Sequence, residues 1–296
     1  MTKRNNEERL GLPSTGAKES DDVTSASTSP PSEGGLSFVS PTAMVDLPSE
    51  GKYYPEGHPL HNEESIEIKE MTAKEEDILT SKSLIQKGVV FDKLLQNIII
   101  DRRITPHHLL VGDKNAILIA ARISGYGEEY ETKVNCPSCY SSQDVSFDLH
   151  NTEVKGPPDL LEVSEKVNAP VGETGDLTFS TRLPKSQLDV ELKLINGADE
   201  KRITANRQMR KKKKMSENIL TEHLKACIVS VAGNTSKQEV DGFIDGMPAQ
   251  DSRFVRKVMT EITPNIDLTQ EFVCEECNHE QDLEVPINTD FFWPDQ

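Results

Sequence analysis

The chain has 296 residues, a formal charge of -17 and only 35% hydrophobic residues. A balance this acidic argues against binding nucleic acid or an anionic membrane, since both are held through Lys and Arg. No stretch approaches the roughly eighteen apolar residues of a spanning helix; the longest candidate, residues 116–121, is bounded by Asp113 and Arg122.

Residues 1–40 contain NNEERLGLPSTGAKESDDVTSASTSPPSEGG, with few large apolar side chains to offset the entropy of ordering a chain. They are expected to form a disordered arm. The opening MTKRNNEERL has no apolar signal core, which leaves the chain in a reducing cytoplasm, where paired cysteines favour metal over disulfides. Residues 45–57 (VDLPSEGKYYPEG) carry two Gly and two Pro and read as turns packed against something. Residues 64–71 (ESIEIKEM) alternate and predict a strand. Thr72 and Glu75 then have the spacing of a capping box, which starts a helix running through Leu79.

Residues 89–100 (VVFDKLLQNIII) and 113–123 (DKNAILIAARI) predict two further helices. The second is apolar on most sides and belongs in the core, with Asp113 as its expected N-cap. Residues 130–134 and 145–149 flank a cysteine pair as a hairpin. Gly156, Pro157 and Pro158, with residues 170–175, read as a linker zone. Residues 176–182 and 188–194 alternate and should pair as strands across Leu183, Pro184, Lys185 and Ser186. Residues 217–230 and 251–262 predict amphipathic helices; Phe254, Val255, Val258, Met259 and Ile262 form a core stripe on the second. The expected class is α+β, a helical core with short antiparallel strands, as a single domain over residues 45–296.

One strongly basic run interrupts this acidic chain: Arg207, Arg210, Lys211, Lys212, Lys213 and Lys214. A contact for nucleic acid or an acidic partner is one reading. A solvated helix face is the simpler one, since no aromatic residue interleaves for base stacking.

The cysteines carry the chemistry. Cys136 and Cys139 head CPSCYSSQDVSFDL; Cys274 and Cys277 head CEECNHEQDLEVPI. In register, Gln143-Asp144 matches Gln281-Asp282, apolar residues recur at alternate positions after them, and Val134 and Phe272 precede the pairs. Each copy reads as a strand, a tight turn and a return strand, with knuckles at residues 130–150 and 270–290. Zinc takes four thiolates at about 2.3 Å in a closed structural shell, so the four cysteines predict one structural zinc ion in a split zinc ribbon. Ribbon knuckles usually lie about 15–20 residues apart; here the ion would clasp remote segments. Redox pairs or unliganded thiols are the alternatives. His279 has Ser141 as counterpart and reads as a bystander, and Cys227 as a small buried side chain. His107 and His108 are adjacent, so their side chains should point apart. No glycine-rich phosphate loop, His-Glu hydrolase spacing or Ser between glycines at a strained turn occurs.

The stretches LPSEGKYYPEGHPL, LLVGDKNAILIAARISGYGEEYETKVNCPSC, DSRFVRKVMTEITPNIDL and CEEC, with the closing DFFWPD, together resemble the baseplate hub protein family of T-even-like contractile-tail bacteriophages. The resemblance runs from Val45 to Pro294. It implies a non-enzymatic structural or assembly protein of the tail baseplate hub, with other hub and tail proteins as partners. It places the chain in the host cytoplasm during assembly and in the virion tail baseplate. Phe291, Phe292 and Trp293 suit either docking on the chain's own core or a subunit contact, as Arg210, Lys211 and Lys212 do a partner contact. A zinc-ribbon nucleic-acid-binding regulator is the alternative function, and a redox or metal-dependent enzyme the third.

Overall fold

A computed structural model describes residues 41–150, 152–175, 177–285 and 289–292. The expected arm and Trp293 lie outside the described residues. The described residues pack as one compact unit, mixed in helix and strand, with five short antiparallel sheets among them.

β1 (Thr42–Asp46) pairs antiparallel with β2 (Ser65–Lys69), and Ile66 and Ile68 of β2 are buried, as alternation requires. The turns between them fold back tightly: Gly51 has φ +69° and its Cα faces the Glu63 backbone so closely that a Cβ would lie 2.3 Å from the Glu63 nitrogen. Only glycine fits there. β2 leads into α1 (Ala73–Leu79), where Glu75 accepts from the Thr72 N–H at 3.0 Å, as the capping spacing predicts. α2 (Lys82–Lys87) ends on left-handed Gly88. α3 (Val90–Ile98) buries Val90, Leu94, Leu95 and Ile98 on one face.

α4 (Val111–Tyr126) is the central helix. Its 16 residues span about 24 Å, and Ala116, Ile117, Leu118, Ile119 and Ala121 are buried round most of its circumference. It starts earlier than its periodicity suggests: Leu110 is the N-cap, and Asp113 sits inside the first turn. Fully buried, Asp113 accepts from the Ser49 N–H (3.0 Å), the Ser49 hydroxyl (2.6 Å) and the Tyr54 hydroxyl (2.7 Å). Tyr54 in turn accepts from the Leu110 N–H at 3.1 Å. The turns of residues 47–62 are thus bolted to the start of the core helix. Burial pushes the Asp113 carboxyl up, against the pull of those donors.

The hairpin of β3 (Glu129–Asn135) and β4 (Ser142–Asp148) follows. The linker zone is in fact structured: β5 (Glu153–Lys155), α5 (Leu160–Val167) and β6 (Val171–Glu173) occupy it. Asp159 caps α5 through the N–H of Leu161, and Gly156, Pro157 and Pro158 serve only as the turn before it. β7 (Thr178–Arg182) and β8 (Asp189–Lys193) pair as expected, with Phe179, Val190 and Leu192 facing the core. α6 (Gly197–Lys212) and α7 (Ile219–Cys227) come next. The helix expected over 217–230 stops at Cys227, because the β-branched run Ile228, Val229 and Val231 extends as β9 (Ile228–Val231) and completes the sheet in the order β6-β7-β8-β9. After α8 (Lys237–Asp245), α9 (Ala249–Ile262) buries Val255, Val258 and Ile262, at about 1.5–3 kcal/mol per side chain. β10 (Asn265–Asp267) pairs with β5, and β11 (Thr269–Val273) with β12 (Glu280–Glu284). A 3-10 turn, Thr289–Phe292, ends the described chain.

Among the described residues, four acids are buried: Glu75, Asp113, Asp199 and Asp251. Each is the third residue of a helix, α1, α4, α6 and α9 respectively. There the free N–H groups and the helix dipole favour negative charge. Each also grips another segment. Asp199 holds Lys193 of β8 at 2.6 Å, and Asp251 accepts the Lys185 and Ser186 N–H groups of the β7–β8 turn at 2.7 and 3.0 Å.

Asp113→Ala strands three buried donors and is expected to cost about 3–5 kcal/mol, read from the urea midpoint; a loss below about 1 kcal/mol would contradict the bolting role. Glu75 carries a pH signature. Burial acts to raise its carboxyl, but the Thr72 hydroxyl and N–H with Lys69 outweigh it, and the net shift is downward from 4.5. A depressed carboxylate contributes stability that is present above its unfolded pKa and lost as pH falls through the folded value. Wild type should therefore lose stability more steeply than Glu75→Gln below about pH 4.5. Parallel stability curves would rule this out.

Candidate metal centre

The two cysteine turns are built alike. In the first, the Cys136 N–H donates to the Ser141 carbonyl and the Tyr140 N–H to the Cys136 carbonyl, each at 2.9 Å. In the second, the Cys274 N–H donates to the His279 carbonyl and the Asn278 N–H to the Cys274 carbonyl, each at 2.9 Å. The residue after each second cysteine is left-handed, Tyr140 at φ +60° and Asn278 at +51°. This closes the turn and leaves both thiols of a pair on its inner side. β3–β4 and β11–β12 supply the strands on either side.

The hairpins then meet face to face. Gln143 Nε2 donates to the Val273 carbonyl at 3.2 Å while its Oε1 accepts from the Glu275 N–H at 3.1 Å. Gln270 does the same toward Asp148, accepting from its N–H at 3.1 Å and donating to its carbonyl at 2.7 Å. Two side-chain amides thus take the place of a strand neighbour. Between them Phe272, Val134, Val145 and Leu283 pack round Cys136 and Cys274.

The result is a four-sulfur cluster. Cys136, Cys139, Cys274 and Cys277 present ligand atoms within 4.8 Å of one another. Cys136 and Cys277 sulfurs are 3.7 Å apart, and Cys139 and Cys274 sulfurs 3.6 Å. A tetrahedron with 2.3 Å metal–sulfur bonds has edges of about 3.8 Å, so the donor set is compatible with a metal ion. All five cysteines are free thiols; Cys136 and Cys274 are buried, Cys139 and Cys277 exposed. Their electrostatics conflict without a cation. The Ser141 hydroxyl, then N–H groups of the second turn, pull the Cys274 thiol down to about 6. Desolvation at the crowded sulfur cluster, and contacts with the other three sulfurs, push the Cys277 thiol up to about 12. Clustered thiolates repel, and a cation at their centre relieves the repulsion.

Other expected residues lie apart from this cluster. His279 Nε2 is 3.4 Å from Gln281 and outside the ligand set. His107 lies 3.9 Å from Asp92, whereas His108 stands edge-on to the His58 ring. Arg210 donates to the Ser216 carbonyl at 2.9 Å, and Lys211 and Lys212 are exposed at the C-terminal end of α6, where the dipole favours cations. Cys227 is buried, its thiol pushed to about 12 by burial. Phe291 and Phe292 are fully buried in the chain's own core, so neither forms an exposed contact surface.

Arg122 was not legible as a site residue. It is fully buried, and its guanidinium donates to the carbonyls of Phe291 (2.7 Å), Gly127 (2.8 Å) and Glu129 (3.0 Å). The Tyr126, Tyr130 and Phe291 rings surround it at 5.2, 5.9 and 6.0 Å. One side chain of α4 therefore holds the start of the first hairpin and the segment that follows the second. Its one signal in sequence is a cation inside an apolar helix.

Arg122→Met removes three hydrogen bonds, the buried one to Phe291 among them, and should cost about 3–5 kcal/mol. The same change should speed thiol labelling of buried Cys136 and Cys274, mapped by mass spectrometry, while Cys227 labels only after denaturation. An unchanged unfolding midpoint with unchanged labelling would remove Arg122 from this account.

Among known families, the one described as T4 bacteriophage base plate protein matches residues 41–293. No curated protein and no solved structure gives a significant match. The matched span takes in both cysteine turns and every described strand and helix. The chain belongs to the T4 bacteriophage base plate protein family.

Proposed function

We propose that the chain is a non-enzymatic structural or assembly protein of the phage tail base plate, acting in its hub, and that the four cysteines hold one structural zinc ion. Membership of the base plate family carries the first part. The four-sulfur cluster supports the second. Four thiolates close the zinc shell and leave no position for water, so such an ion braces and does not catalyse. The paired sulfurs belong to residues 141 and 135 apart in sequence, and a crosslink closing a loop of that length contributes roughly 5 kcal/mol by the chain-entropy estimate. Other tail and hub proteins are the natural partners, with assembly in the host cytoplasm and residence in the virion tail.

A nucleic-acid-binding ribbon fits less well. The two knuckles carry Asp144, Glu275, Glu276, Glu280 and Asp282, which repel phosphate.

Elemental analysis of natively purified protein should give about one zinc per chain, on the four-thiolate argument. Chelation should lower the melting temperature, and Cys136→Ser with Cys274→Ser should abolish both the metal and the chelator effect. A folded, metal-free preparation with the same melting temperature would end the zinc assignment. For the base plate role, mass spectrometry of purified virions should find the chain, with hub proteins co-purifying from infected cells. Absence from virions together with no hub co-purification would refute it.

A further inference from the structure

An open trough of about 680 Å³ lies between the end of α5, the β7–β8 turn and the outer face of α9. In a chain of charge -17, its lining contains Arg182, Arg253 and Lys257 and no carboxylate. Arg182 has Asp189 at 4.0 Å across the strand pair, and Lys257 donates to the Lys166 carbonyl. Arg253 takes part in none of the ion pairs among the described residues. Pro184 and Phe254 give the trough an apolar floor, and Gln250 adds an amide able to pair with a passing backbone.

We propose that this trough is a docking site for an extended, carboxylate-rich segment of a partner protein. Spacing supports an extended strand. Arg253 and Lys257 are one helical turn apart on α9, which sets their Cβ atoms about 5–6 Å apart. In an extended chain, alternate residues share a face at about 6.6–6.8 Å. Acidic side chains at alternate positions can therefore meet both cations, while an apolar residue of the segment settles on Pro184 and Phe254. A short segment senses mainly the cations within a Debye length of about 8 Å. A nucleic acid extends past the trough and meets the acidic remainder of the surface. The inference goes beyond the base plate role and does not depend on the cysteine cluster, so its assay can fail while both stand.

The test is fluorescence anisotropy of the full chain with a fluorescein-labelled peptide carrying Glu at alternate positions around a central Leu. Comparators are the same peptide with Lys replacing Glu and a single-stranded oligonucleotide of equal charge. The Glu peptide should bind, weaken with added salt, and lose about tenfold or more in affinity with Arg253→Glu and Lys257→Glu combined. Arg253→Gln should move affinity the same way by less, which covers a double variant that fails to fold. Lys211→Glu with Lys212→Glu, on the α6 end, should leave binding unchanged. The proposal is overturned by no measurable binding, by equal binding of the Lys peptide, by indifference to the trough variants, by equal loss in the α6 variant, or by tighter binding of the oligonucleotide.

Discussion

The meeting of the two hairpins is the constraint on which the rest of this molecule depends. β3–β4 and β11–β12 are small two-stranded ribbons, and isolated ribbons of that size are marginal in water. They persist here because they are held together at both ends. At the tips, four sulfurs converge within 4.8 Å. At the base, Arg122 binds the carbonyls of Glu129 and Phe291. Between tip and base, Gln143 and Gln270 bridge the hairpins and Phe272 fills the gap. Everything from β5 to β10 is strung between those two hairpins, so their union closes the fold on itself.

The same economy governs the helix starts. A buried carboxylate is costly unless donors surround it. The four buried acids among the described residues stand at the third position of a helix, where free N–H groups and the dipole already favour them. Each then spends its remaining acceptor capacity on a different neighbour: Lys69, Ser49 with Tyr54, Lys193, and the β7–β8 turn. The burial of charge in an acidic chain thereby becomes a set of joints between helices and the segments beside them. A structural part of a large assembly gains from such joints, since they hold its surface in a fixed shape.

What the sequence determined by itself was local in origin. The Cys-x-x-Cys turns, the Thr72–Glu75 cap, the apolar helix after residue 110 and the strand pair around residues 183–188 are each specified by residues a few positions apart, and their spacing is visible without coordinates. The repeated Gln-Asp register also pointed correctly to two related hairpins, although only Gln143 reaches across, while Gln281 faces His279. What only the tertiary structure decided was long-range. Asp113 looked like a cap because an acid ahead of an apolar run usually is one; its partners Ser49 and Tyr54 are 64 and 59 residues away. The end of α7 at Cys227 depends on an open sheet edge that β9 can join, which no helical periodicity records. Arg122 read as the polar boundary of a short apolar run inside a helix, and its role required the chain to return 169 residues later with the Phe291 carbonyl in reach. Local geometry is set by covalent spacing and can be read from a string. The partner of a buried charge is set by which remote backbone packs against it, and that is fixed only when the core closes.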